Sequence, residues 1–325
     1  MLDSLKEVAS YLQKDIHKVP DKVFAVMASP WASASLRSIK RKRPESFIFT
    51  EKFAKDLIKE EIVKFKKENR DFDEIIDKRV VNVLLNGYES PKPYGKRVVE
   101  SEIQILLSLS SKDVVDKIED VIMKTYHKEI KFTSQMFSDF IVVRDVFDRL
   151  NDFIILNINE EITEVSIMRN DFLVGTASFP YGKNTFIRQI SKNLGKDISH
   201  TASLISMHKD GHLKENHSKE IEMVIKDESK AWINSLKMVF RSLFVDLFIP
   251  HDIFLTTDKN SQKFFLNLLD KSNFSEFTTT EDSFNVILSD SKILHDFYDI
   301  SMNTKKEDPN LIMQSIFIAN IARGK

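Results

Sequence analysis

No cysteine occurs in the 325 residues, which excludes disulfides and thiolate metal sites. Glycine is nearly as scarce. The seven present make up roughly 2% of the chain, against about 7% in ordinary usage. A loop that cradles phosphate needs glycine, because its backbone must approach the ligand with unusual dihedrals, so this chain has little material for such loops. A bias of charge is also lacking. Lys and Arg number 48 and Asp and Glu 49, for a net charge of -1, and nothing draws the whole molecule toward nucleic acid or an anionic membrane. No apolar run approaches the ~20 residues of a membrane span. The opening MLDSLKEVASYLQK is amphipathic and has no apolar run of the signal-peptide kind. The expectation is a cytoplasmic protein, recruited to the inner face of a membrane only through a partner.

Apolar material is plentiful. Hydrophobic residues make up 42% of the chain and include 25 Phe, enough core for two or three packed units. The most organised stretch runs from Phe153 to Phe186. Two apolar runs, Phe153–Leu156 and Val165–Met168, flank a polar turn at Asn157–Glu161, and a third, Phe172–Phe179, follows a turn at Arg169–Asp171. Short β-rich runs between turn residues predict a meander of strands. After Tyr181-Gly182-Lys183, a helical pattern from Asn184 to Leu194 stops at Gly195.

Before the meander, the pattern predicts a helix over Leu2–His17, a strand near Val23–Ala28, another at Ser35–Ile39, and a basic turn at Lys40–Arg43 closed by Pro44. Thr50 is placed to cap a helix to about Lys67. A strand over Arg79–Asn86 and an alternating strand over Arg97–Leu109 enclose a loop. Helices follow from Ser111 to Tyr126 and from Phe137 to Leu150. Beyond Gly195, Ser199 is placed to cap a helix to Lys209, and a long helix covers Lys219–Phe248. Strands are expected at Asp252–Thr256 and Asn285–Leu288, with helices at Ser261–Leu269 and Leu311–Ile321.

This arrangement resembles actin-like proteins of the FtsA and PilM type. In that family the first strand of the second lobe ends in Asp-Ile-Gly-Gly-Gly-Thr-Thr-Asp, a turn that holds nucleotide phosphates. Without a gap, it falls on Asn157-Ile158-Asn159-Glu160-Glu161-Ile162-Thr163-Glu164. The family's V-F-R-D-G turn falls on Ile167–Asp171 and its P-I-G-G on Pro180-Tyr181-Gly182-Lys183. Its adenosine-side Leu-Thr-Gly-Gly falls on Leu255-Thr256-Thr257-Asp258. The strand frame is kept while the glycines are replaced. The resemblance implies an α/β fold of actin-like, ribonuclease H-like lobes with an inserted α+β subdomain. The implied division is 1–22 for the first helix, 23–128 for the insert, 129–152 for the rest of the first lobe, 153–308 for the second lobe, and 309–325 for a returning helix. It further implies a scaffold of a bacterial cell-division or pilus-type envelope assembly, with partners from that machinery, and homo-oligomers are open to it. The rival is an ATPase that polymerises under control of ATP with Mg.

The residues weigh toward the scaffold. Side chains at Asn159, Glu160 and Glu161 obstruct the backbone approach to phosphate. Two carboxylates there would face like charge, at roughly 1–4 kcal/mol per close contact. Asn157 carries no charge where the family's Asp supports metal and water. The positions of the degenerate pocket are thus Asn157, Asn159, Glu160, Glu161, Thr163, Gly182, Thr256, Thr257 and Asp258, with no cofactor expected and no catalytic residue nominated. The basic cluster Arg37, Lys40, Arg41, Lys42 and Arg43 reads either as a solvated turn or as a contact for an acidic partner or lipid headgroups. His200, His208, His212 and His217 suggest a metal at first sight, but Gly211 breaks the helix between His208 and His212 and no Glu completes the motif. No metal is expected. The helix from Trp232 to Phe248, apolar on nearly all sides, reads as core.

Overall fold

A computed structural model describes residues 2–16, 19–69, 73–147, 150–170, 172–209, 215–243, 249–277, 284–289, 294 and 308–322. The chain divides into two compact units, Met1–Ile141 with Phe317–Lys325, and Val142–Ile316.

The first unit runs α1 (Leu2–Ile16), β1 (Val23–Met27), β2 (Ala32–Ile48), α2 (Glu51–Glu68), β3 (Glu74–Leu85), β4 (Tyr88–Glu89), β5 (Arg97–Ser110), α3 (Lys112–Tyr126), β6 (Ile130–Ser134) and the start of α4 (Gln135–Val146). β2, β5, β3 and β4 form one antiparallel sheet in that order. Thr50 caps α2 as its chemistry predicts, its hydroxyl accepting from the Phe53 N–H. α2 lies on one face of the sheet, burying Leu57 and Phe65 with Ile39, Phe49, Ile103, Ile105, Leu107 and Leu109. β1 pairs in parallel with β6, not with the four-stranded sheet. The pair packs with α1 and α3 around Ala9, Met27, Ile118, Ile122 and Tyr126.

Several elements here differ from the sequence reading: β3 begins at Glu74 and not at Arg79, and β4 falls within the expected loop. β6 was not expected, because five residues that include Lys131, Thr133 and Ser134 carry little strand signal. The basic segment Lys40–Arg43 is no turn; it lies inside β2. Lys40 stands opposite Glu102 and Lys42 opposite Glu100 across β5, and such cross-strand opposite charges stabilise the extended form. The irregularity falls just beyond, where the register shifts between Lys42 and Phe47 around Pro44, a place where an outer strand tolerates proline.

The second unit contains β7 (Phe153–Ile158), β8 (Thr163–Arg169), β9 (Phe172–Phe179), α5 (Lys183–Leu194), α6 (Ile198–Lys209), α7 (Glu215–Leu243), β10 (Asp252–Thr256), α8 (Lys259–Asp270) and β11 (Asn285–Leu288). A last helix, α9 (Pro309–Ala322), crosses the boundary between units, as α4 does. The sheet order is β11-β10-β7-β8-β9. β7, β8 and β9 are the antiparallel meander, and β10 runs parallel to β7 with Thr256 beside Asn157. Every residue of β7 is buried, as a central strand covered on both faces requires. α7 supplies Trp232, Leu236 and Phe240 at successive i, i+4 positions, and they meet Ile154, Leu156, Ile190 and Phe265. Met238 on the same helix is 67% exposed, so α7 is core on one side only. Phe244, Leu247 and Phe248 lie outside the described residues.

Gly195 ends α5 in the left-handed region at φ 62°, where glycine is the favoured stop. α6 is capped two residues earlier than expected. Asp197, not Ser199, accepts from the His200 N–H and the Ser199 hydroxyl, because a carboxylate is the better acceptor at a helix start.

Candidate functional site

Parallel β7 and β10 carry their carboxyl ends side by side, the place where open α/β sheets present a ligand crevice. Three elements meet there in the second unit: the β7–β8 turn, the start of α5 and the start of α8. Their contact begins with backbone. The N–H groups of Gly182, Lys183 and Asn184 donate to the carbonyls of Glu161, Asn159 and Glu160 at 2.9, 3.0 and 2.7 Å. These are donors that a helix N-terminus would otherwise offer to an anion. Gly182 sits so close that a Cβ there would lie 2.5 Å from the Asn159 carbonyl oxygen and 2.6 Å from the Glu160 and Glu161 carbonyl carbons.

Side chains complete the closure. Lys183 Nζ lies 2.8 Å from Glu160 Oε1 and 3.1 Å from Asp258 Oδ2, linking the turn to the cap of α8. Asp258 Oδ1 meanwhile accepts from the Asn260 N–H. Burial disfavours the Lys183 ammonium, but hydrogen bonds to Glu160 and Asp258 outweigh it and raise the pKa above the ordinary value. Asp258 is the mirror case. Burial opposes ionisation, and the Ser261 hydroxyl and Lys183 overcome it, so the carboxyl is held below its usual range. Arg188 grips Glu161 through both guanidinium nitrogens, Nη1 to Oε1 at 3.1 Å and Nη2 to Oε2. Asn184 Nδ2 adds a bond to Oε1. The Arg188 bond leads in keeping the Glu161 pKa low. Asn159 Nδ2 donates to Glu164.

The remaining pocket positions sit deeper. Thr163 is fully buried, its hydroxyl donating to the Tyr181 carbonyl and accepting from the Trp232 indole N–H. Thr257 donates to the Ile158 carbonyl, and Thr256 shares a 2.6 Å hydrogen bond with Ser289. Asn157 is 3% exposed between Glu164 and Thr256 in register. The structure therefore brings Asn159, Glu160, Glu161, Gly182 and Asp258 together around Lys183, and places Asn157, Thr163, Thr256 and Thr257 in the sheet ends beneath.

Lys183 and Arg188 are the residues that the motif comparison did not assign a role. One signal was available. α5 has no acidic residue in its first turn and opens on Lys183, against the helix dipole, so that lysine requires anionic partners.

The basic cluster lies in the other unit, and each member has a partner. Arg37 meets Glu61 and Glu68, Lys40 meets Glu102, Arg41 meets Glu60, and Lys42 meets Glu100. Arg43 stands over the rings of Phe47 and Phe53 at 4.9 and 5.2 Å. Its positive charge is largely matched within the fold. Among the described residues no group of His, Asp and Glu could hold a metal ion. His200 and His208 lie on α6, His208 within 2.9 Å of Ser218. His212 and Gly211 fall outside the described residues, as does the His217 side chain.

No protein-family model and no curated protein matches the chain. Among solved structures, it resembles the PilM–PilN type IV pilus biogenesis complex over 99% of this chain and 84% of that one, with a TM-score of 0.57 and 15% identity. The fold is actin-like. A protein of Bacteroides thetaiotaomicron with an actin-like ATPase fold also matches, over 96% of this chain and 80% of that one, at TM-score 0.39 and 10% identity. The MamK double helical filament matches over 66% of each chain, at TM-score 0.41 and 10% identity. The side chains of the β7–β8 turn are directed to partners within the protein. Among the described residues no helix is long and apolar enough to cross a membrane.

Proposed function

We propose that this actin-like protein is a non-catalytic scaffold of a pilus-type or cell-division envelope assembly, working through protein contacts without ATP. The observation that carries the reading is the ion pairing of Lys183 with Glu160 and Asp258 across the crevice. A triphosphate entering there would have to displace that lysine from both carboxylates. It would also meet Glu160, Glu161, Glu164 and Asp258 beside Lys183 and Arg188, and like charge at close range opposes it. The pilus side of the proposal is supported by the likeness to the PilM–PilN complex, which speaks to fold alone.

The test is affinity capture from the native cell followed by mass spectrometry, with and without Mg-ATP. The proposal expects components of an envelope assembly, captured equally under both conditions. Capture that requires ATP would favour a nucleotide-switched ATPase instead.

A further inference from the structure

We propose that the outward face of α2 docks on an anionic lipid surface. α2 lies on the sheet through Ala54, Leu57 and Phe65, so its opposite face looks to solvent. In sequence the helix is nearly neutral, with six lysines and five carboxylates. Folding separates them. Glu61 and Glu68 turn to Arg37 and Glu60 turns to Arg41, both arginines on β2, while Glu51 takes Lys55. The arginines of β2 thus occupy most of the carboxylates of α2. Lys52, Lys59, Lys64, Lys66 and Lys67 are left without an ion pair among the described residues, and Asp56 is the one carboxylate of α2 in the same condition.

These lysines form a row. Lys52, Lys59 and Lys66 recur every two turns along one line of the helix, with Lys55 and Lys67 beside it. From Lys52 to Lys67 the row is about 22 Å long. Lys52, Lys59 and Lys67 are exposed, and Val63 stands among them, 55% exposed. Lys55 and Lys59 are like charges at i, i+4, an arrangement that weakens a helix, so the row does not serve α2 itself. Its composition selects the occupant. Protein interfaces are depleted of lysine and enriched in arginine, and arginine is the bidentate reader of carboxylate and phosphate. The row contains no arginine. Lysine is a point charge on a flexible stem, which lies along an interface while its ammonium reaches the headgroups. An apolar residue in such a row sinks toward the acyl boundary, a place for Val63 that a nucleic-acid backbone does not offer. The near-neutral charge of the whole chain does not oppose the contact, because at physiological salt a charge is felt over about 8 Å. The docking is independent of what the crevice takes, and it brings the chain to a membrane without a partner.

The test is co-sedimentation of the full chain with vesicles of phosphatidylglycerol and phosphatidylcholine in equal parts, and with vesicles of phosphatidylcholine alone. The chain should sediment with the first and stay in solution with the second, and added salt should release it. Lys52→Gln with Lys59→Gln and Lys67→Gln keeps good helix formers and should weaken binding about a hundredfold, at roughly fivefold per lysine. Lys112→Gln with Lys117→Gln and Lys124→Gln removes the same charge from α3, where each lysine has an aspartate partner, and should bind as the parent does. No sedimentation with the anionic vesicles, equal sedimentation with both kinds, or equal loss in the α2 and α3 variants would overturn the proposal. Capture of polyglutamate or duplex DNA by the same lysines, without vesicle binding, would also overturn it and assign the face to another polyanion. Circular dichroism checks the fold of each variant. Should the triple α2 variant unfold, Lys59→Gln alone decides, with a loss of about fivefold expected and no loss overturning the proposal.

Discussion

At the scale of single residues, the crevice depends on one glycine and one lysine. Gly182 is required for space and not for a dihedral. Its missing Cβ would meet three backbone atoms of the turn at 2.5–2.6 Å, and backbone cannot step aside as a flexible side chain can. Gly182→Ala should therefore lower stability in urea denaturation by about 1–3 kcal/mol, the usual cost of overpacking. Asp258 makes a pH prediction. Its folded pKa lies below the ordinary 3.8, so the unfolded chain binds the proton more readily. The stabilisation is present above the ordinary value and is lost as pH falls from 3.8 through the lower folded value. Asp258→Asn keeps a good helix cap but removes the charge. The variant should lose some stability at neutral pH and show a flatter decline below pH 3.8 than the parent; an unchanged acid limb would mean that the carboxylate does not hold the site.

At the scale of elements, local signals were legible and distant pairings were not. Thr50 as a cap, Gly195 as a stop, and the β7–β8–β9 meander all depend on residues within a turn or two, and all appear where the sequence puts them. Lys40–Arg43 misled because a run of like charge reads as a solvated turn until its partners, Glu60 on α2 and Glu100 and Glu102 on β5, are folded beside it. Replacing Lys40, Arg41, Lys42 and Arg43 by Ser should weaken the first unit by about 1–2 kcal/mol in total, a few exposed pairs at 0.2–1 kcal/mol each. The deficit should shrink in high salt, which screens the glutamates left behind. Equal stability in low salt would show that the pairs contribute nothing. The turn makes a matching prediction. Changing Asn159, Glu160 and Glu161 to Gly restores flexibility to one loop, yet Thr257 and Asp258 still occupy the other side. No Mg-dependent phosphate release should follow, and substantial release would contradict this.

At the scale of the whole molecule, the fold was readable because the strand frame is legible even where the turns carry Asn, Glu and Thr in place of the family's glycines. Buried strands β7 and β10 must stay apolar whatever the turns beyond them do, so their spacing still marks an actin-like chain, and the likeness to the PilM–PilN complex agrees over 99% of it. How the β7–β8 turn is bonded to α5 and α8 was only half readable. The lost glycines and the added carboxylates stood in the motif itself, but Lys183 meets Glu160 and Asp258 only after three separate elements come together. We propose that these groups satisfy one another and leave no place for ATP. The most direct check is the melting temperature with and without millimolar Mg-ATP. A ligand that binds only the native state at a hundredfold over its Kd would add about 2.7 kcal/mol. The same melting temperature is expected in both conditions. A rise of several degrees that saturates with ATP and is lost in Lys183→Met would contradict it.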